Sequence, residues 1–154
     1  MRVAIYTRYS SENQSEKSID DQIRVCKNYI LAQGITFYDR YIYVDEAISG
    51  SVINRPGLQA LEKAAENREF DTVAVDDLSR LSRSNHQMLT LVLKFDYYQI
   101  KIISVSDGII TDDDNAKLGI HMISSGEKGF KPYYVAHTKI QTLALLDEGY
   151  KGSN

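Results

Sequence analysis

Cysteine is almost absent from these 154 residues; Cys26 stands alone, which excludes an internal disulfide. Cys26 falls in helical line with Ile19, Ile23 and Ile30, the spacing of a small buried apolar residue rather than a reactive thiol. A lone thiol also fits a reducing cytoplasm. No apolar run approaches the roughly 20 residues that span a bilayer. Met1-Arg2 leads straight into a strand-like run instead of a secretory leader, so no membrane partner is expected. Neither sign of charge dominates: 18 Lys and Arg against 21 Asp and Glu leave a formal −3. Contact with a polyanion would therefore have to come from a local arginine cluster or from protein beyond these residues. Carboxylates and histidines show no metal-ligand spacing. Asp76-Asp77 is an isolated pair in a turn, and Asp112-Asp113-Asp114 reads as the acidic first turn of a helix. His86, His121 and His137 have no Ser or Cys partner by spacing. Repeats and low-complexity segments are missing too. What remains, 43% hydrophobic and 25% charged, is an ordinary globular composition in a chain long enough to bury a core.

Strand-like and helix-like segments alternate along the chain. Arg2 to Tyr6 is β-branched and aromatic without Gly or Pro, the pattern of a buried strand, and opens into a hydroxyl-rich stretch from Ser10 to Ser15. Ser18 caps a helix with acidic residues in its first turn; the helix runs to Gln33 and stops at Gly34. Phe37 to Val44 reads as a second strand, followed by a polar loop from Asp45 to Asn54. Arg55-Pro56-Gly57 opens a helix, with Pro56 suited to its first turn and Leu58, Leu61 and Ala65 on its buried face. Asp71 to Val75 is a third strand and Asp76 to Arg83 the turn after it. Ser84 or Asn85 caps a helix through Tyr97, with Met88, Leu91, Val92 and Phe95 inward. Lys101 to Val105 is a fourth strand, and Gly108 to Thr111 a short edge strand. This alternation predicts a doubly wound α/β architecture: a mainly parallel sheet of four to five strands flanked by helices, over residues 1–111. Residues 112–154 read as a C-terminal helical segment. Gly126, Gly129 and Pro132 interrupt it, leaving one broken helix or two shorter ones.

The chemistry-bearing residues cluster where strands end. Arg8 and Ser10 alternate onto one side of an extended segment. Arg55 follows the second strand, and Arg80 and Arg83 follow the third, three apart, so that a helical turn sets them on one side. Carboxyl ends of parallel strands are where ligands collect. Several guanidiniums around one hydroxyl call for anions, and a phosphodiester attacked by a serine meets that demand. With no metal-ligand cluster, the arginines would supply the charge stabilisation.

Four motifs in order carry a resemblance: Tyr6-x-Arg8-x-Ser10, Ser18-Ile19-x-x-Gln22, Arg55-Pro56-Gly57-Leu58, and Leu78-Ser79-Arg80-Leu81-Ser82-Arg83-Ser84. Together they resemble the catalytic domain of serine site-specific recombinases, the resolvase/invertase superfamily, most of all its large integrase and transposase branch. The resemblance implies that Ser10 is the nucleophile, forming a 5′-phosphoserine link to DNA and a free 3′ hydroxyl. It implies that Arg8, Arg80, Arg83 and Arg55 are catalytic arginines and that Gln22 helps hold the site. Gln14 is a candidate for a place beside the scissile phosphate, with Arg8, Arg55 and Arg83 also touching DNA. It further implies no metal, no cofactor and no ATP, a homodimer on each DNA site, a homotetramer at synapsis, and a cytoplasmic protein of bacterial or phage origin. Two departures stand out. Many relatives carry Asp where this chain has Ser79, with Asp76 and Asp77 as possible substitutes. The chain also stops at Asn154, so the C-terminal DNA-binding domains expected of a relative are missing from it. One rival reading is a catalytically idle assembly domain of the same fold. Another is a receiver-like signalling module, which needs an acidic pair where this chain has Arg8 and Ser10.

Overall fold

The computed structural model describes residues 1–9, 17–46 and 55–111. Ser10, Gln14 and the helical segment expected over 112–154 lie outside these. Five strands, β1 (Val3–Tyr9), β2 (Ile42–Glu46), β3 (Thr72–Val75), β4 (Lys101–Ser104) and β5 (Ile109–Ile110), form one sheet in the order β2-β1-β3-β4-β5. The first four run parallel, and β5 closes one edge antiparallel to β4. Three helices connect them: α1 (Ile19–Ala32), α2 (Pro56–Glu66) and α3 (Asn85–Tyr97).

The helices cover both faces. On one, α1 buries Cys26 and Ile30 against Val3, Ile5, Ala74 and Ile103. On the other, Leu58, Leu61 and Ala65 of α2 and Leu91, Val92 and Phe95 of α3 pack on Ala4, Tyr6, Val73, Val75 and Ile102. A strand buried on both sides has no polar face to show, which is why Val3 to Thr7 reads as a continuous run rather than an alternation. The doubly wound, mainly parallel sheet expected from the sequence is therefore the one observed. Its helix assignments hold closely. The Ser18 hydroxyl accepts from the Asp21 amide, Pro56 takes the first position of α2, and Ser84 caps α3 through the Gln87 amide. Gly34 follows α1 at φ +74°, a left-handed position natural for glycine after a helix.

Two strands differ from their expected bounds by more than one residue at an end. β1 continues past Tyr6 to Tyr9, because β2 lies alongside it and pairs Arg8 with Asp45 and Tyr9 with Glu46. Arg8 is thus a strand residue and not part of a loop. The second strand starts at Ile42, after a short 3-10 helix over Asp39–Tyr41, and ends at Glu46. Phe37, expected within it, packs instead against the α1 side of the core. Asp45, expected in a loop, is a buried strand residue. The order of strands makes β1 and β3 neighbours whose following helices lie on opposite faces. The crevice at their carboxyl ends is thus the topological switch point of the sheet.

Candidate active site

Four described residues with long polar side chains meet at that crevice. Gln22, fully buried on α1, fixes the backbone where β1 ends. The Arg8 amide donates to its Oε1 (3.2 Å), and its Nε2 donates to the carbonyls of Arg8 (2.9 Å) and Lys17 (2.9 Å). One amide side chain thereby holds residues 8 and 17 together, on either side of the stretch that contains Ser10. The Arg8 guanidinium reaches the next strand's turn, where Nη2 donates to the Ser79 carbonyl (3.1 Å). Arg80 returns the contact, its Nη1 donating to the Arg8 carbonyl (3.4 Å). Arg80 itself is buried, at the end of a 3-10 helix over Leu78–Arg80.

Beneath this pair lies a second layer. The Tyr6 hydroxyl donates to Asp45 Oδ2 (2.7 Å) and accepts from Arg55 Nη2 (2.7 Å) and Nε (3.2 Å). Burial pushes that hydroxyl far above the usual phenol range, against the opposing charge of Arg55 and with the Asp45 hydrogen bond adding to the rise. Tyr6 is therefore protonated at any working pH and serves as a fixed link between a carboxylate and a guanidinium. Asp45 also caps α2, accepting from the amides of Gly57 (2.7 Å) and Leu58 (2.9 Å) at the positive end of that helix. Arg55, stacked over the Tyr6 ring at 5.4 Å, sends Nη1 to the Leu81 carbonyl (2.6 Å) and Nη2 to the Arg80 carbonyl (2.8 Å).

Of the residues singled out by sequence, the structure brings Arg8, Gln22, Arg55 and Arg80 into one connected set. Ser10 and Gln14 lie outside the described residues. Arg83 is exposed and falls beyond the 3-10 helix, which ends at Arg80. The pairing of Arg80 and Arg83 on one helical turn is thus not observed. The turn is too short, and burial separates the two. Arg55, expected to face phosphate, spends all three of its guanidinium nitrogens on protein acceptors. Sequence reasoning missed Tyr6 and Asp45. The signal for Asp45 was weak, since an acid in a polar, Gly- and Ser-containing stretch looks like a loop. A tyrosine in a buried strand did signal a need for a partner, because a buried phenol seeks one. The carboxylates next to Ser79 divide their tasks. Asp76 pairs with Lys17 (3.0 Å) and accepts from the Ser106 hydroxyl (2.7 Å), whereas Asp77 engages Ser79 and Arg80.

Comparison with known proteins identifies the family to which the chain belongs. Residues 3–139 match the family described as Resolvase, N terminal domain. The Tn3 transposon resolvase of Escherichia coli is 32% identical over 125 residues, which cover 81% of this chain and 61% of that protein. The chain thus spans about three fifths of the length of the curated relatives it matches. Among solved structures, the N-terminal catalytic domain of TP901-1 integrase superposes with a TM-score of 0.68 at 36% identity, covering 83% of this chain and 95% of that one. The C-terminal catalytic domain of ISC1926 TnpA, an IS607-like serine recombinase, superposes at 0.59 with 28% identity, covering 90% and 96%.

Proposed function

Because the chain belongs to the resolvase N-terminal domain family of serine recombinases, we propose that it cuts and rejoins DNA with Ser10 as nucleophile. The Ser10 Oγ attacks a backbone phosphorus. An Oγ–P bond forms, the bond from phosphorus to the 3′ oxygen breaks, the serine proton leaves, and the 3′ oxygen takes up a proton as a free hydroxyl. The 5′ phosphate is then held on the protein as an ester. Attack by the 3′ hydroxyl of an exchanged strand reverses these steps, so the number of phosphate ester bonds is conserved and no ATP is consumed.

The observation that carries this reading is the clasp between Arg8 and Arg80 across the carboxyl ends of β1 and β3, two residues from Ser10 in sequence. Guanidiniums fixed in advance can stabilise charge that grows on phosphoryl oxygens in the transition state. Arg8 and Arg80 take that role, with Arg83 extending the cationic surface along the bound strand and Gln14 beside the scissile phosphate. Arg55 acts from below as a positioning residue, since its nitrogens hold the carbonyls of the Arg80 turn. Gln22 keeps the two ends of the Ser10 stretch together. DNA is the partner, with a dimer on each site, a tetramer at synapsis, and sequence readout by further domains of the full-length protein, acting in a bacterial or phage-infected cytoplasm. Among the described residues no helix is long and apolar enough to cross a membrane.

The test is a covalent adduct. Full-length protein is incubated with a supercoiled plasmid carrying the DNA that flanks its own gene, quenched with detergent and digested for mass spectrometry. A nucleotide on the peptide containing Ser10 is expected. Ser10→Ala is expected to abolish the adduct while leaving DNA binding nearly intact. An adduct on a tyrosine, or cutting that survives Ser10→Ala, would overturn the assignment.

A further inference from the structure

The turn after β3 carries two adjacent carboxylates that face different partners. Asp76, 1% exposed, takes both Lys17 and Ser106 on Oδ1, and its buried Oδ2 has no hydrogen-bond partner among the described residues. Asp77 caps the 3-10 helix over Leu78–Arg80. It accepts from the Ser79 amide (2.9 Å) and from the Ser79 hydroxyl, and it forms an ion pair with Arg80 Nη2 (3.3 Å). The residue between them in this chain of contacts, Ser79, is the one whose carbonyl receives the Arg8 guanidinium. Asp77 therefore reaches both arginines of the clasp: Arg80 directly through charge, and Arg8 through the backbone of Ser79.

The physical case rests on what Arg80 needs. Its side chain is 6% exposed, and a buried cation is tolerated only with a counter-charge and satisfied donors. Without a carboxylate to hold it, a long flexible guanidinium next to a second one would swing away from its neighbour. We propose that Asp77, working through Ser79, is the positioning carboxylate of the Arg8–Arg80 pair, setting both guanidiniums where the phosphate will sit. The inference rests on the recombinase reading above and adds to it a positioning residue on the turn after β3.

A capping role alone makes a different forecast, because Asn caps a helix as well as Asp does. Asp77→Asn retains an acceptor for Ser79 and removes the charge together with the second acceptor oxygen, the one that faces Arg80. In the full-length protein, with the flanking-DNA plasmid as probe, Asp77→Asn is expected to slow formation of the Ser10 adduct about 10²-fold, the scale of a misplaced catalytic group. Its DNA retention is expected to stay near that of the parent, while its thermal midpoint falls because buried Arg80 loses its counter-charge. Adding Ser79→Asp, which returns a carboxylate to the same turn beside Arg80, is expected to recover at least tenfold of that loss. An Asp77→Asn protein that forms the adduct at the parental rate would overturn the Asp77 inference and leave the recombinase reading standing. A loss that Ser79→Asp does not relieve would overturn it as well, since negative charge at this turn would not be the missing element. Failure of the parent itself to form an adduct on Ser10 would remove the recombinase reading, and the Asp77 inference with it.

Discussion

Removing one oxygen from the middle of the fold isolates the layer beneath the arginine clasp. Tyr6→Phe keeps the ring that fills the core and deletes the hydroxyl, which is 0% exposed with its residue and lies between Asp45 (2.7 Å) and Arg55 (2.7 Å). Both partners are charged groups, and a hydrogen bond to a charged group contributes about 1.5–3 kcal/mol. Asp45 keeps the amides of Gly57 and Leu58, and Arg55 keeps the carbonyls of Arg80 and Leu81, so neither ion is left wholly without partners. Taking the low end of the range for two bonds gives a loss of about 3 kcal/mol. For a domain of this length that corresponds to a fall in thermal midpoint of roughly 6–12 °C. Circular dichroism melts of parent and variant measure it directly. A double-mutant cycle with Asp45→Asn then asks whether the hydroxyl acts through the carboxylate, with a coupling of about 1–2 kcal/mol expected. A midpoint within about 2 °C of the parent, or strict additivity in the cycle, would refute the view that Tyr6 links Asp45 to Arg55.

Two further perturbations probe the frame around the site. Gly57→Ala would set a Cβ 2.5 Å from the Val44 carbonyl oxygen and 2.8 Å from its carbon, both backbone atoms of β2 that cannot swing aside. A loss of about 1–3 kcal/mol or more is expected from such overpacking, visible as a lower denaturant midpoint with an unchanged slope; an unaltered midpoint would show that the α2 entry is looser than described. For Cys26, burial first and the nearby Asp76 second push the thiol from an ordinary value of 9.0 up to about 12. The protonated form is thus favoured in the native state, so this thiol's contribution to stability is complete below pH 9 and is lost as pH rises toward 12. The slope is at most about 1.4 kcal/mol per pH unit. Cys26→Ala should flatten the decline between pH 9 and 10, leaving the steeper loss above pH 10 to which the raised Tyr6 and Tyr43 hydroxyls contribute. An identical pH profile in parent and Cys26→Ala would contradict the burial of this thiol.

How far the sequence spoke depended on whether a residue's neighbours were near in the chain. The helices were legible because their caps are local: Ser18, Pro56 and Ser84 each act within one turn of themselves. The sheet order was legible as a class, because short strand–helix alternation admits few parallel arrangements. Strand ends were not, because they are set by partners far away in sequence. β1 reaches Tyr9 only because Glu46 lies beside it, thirty-seven residues on. The site divides in the same manner. Arg8, Arg55 and Arg80 could be picked out as cations in the stretches that follow strands, and Gln22 through the family resemblance, but what each one touches is decided by long-range geometry. Arg55 shows the difference most clearly. By type and position it reads as a phosphate ligand, yet its nitrogens already donate to Tyr6, Arg80 and Leu81, contacts that no local pattern signals. Asp45 makes the complementary case. An acid in a stretch with the look of a loop is in fact the carboxylate that joins β1, β2 and α2, because only in the folded sheet do the Tyr6 hydroxyl and the first amides of α2 point at the same two oxygens. Cations at a strand end are thus the readable half of such a site. The groups that hold them still are the half that has to be found in the fold.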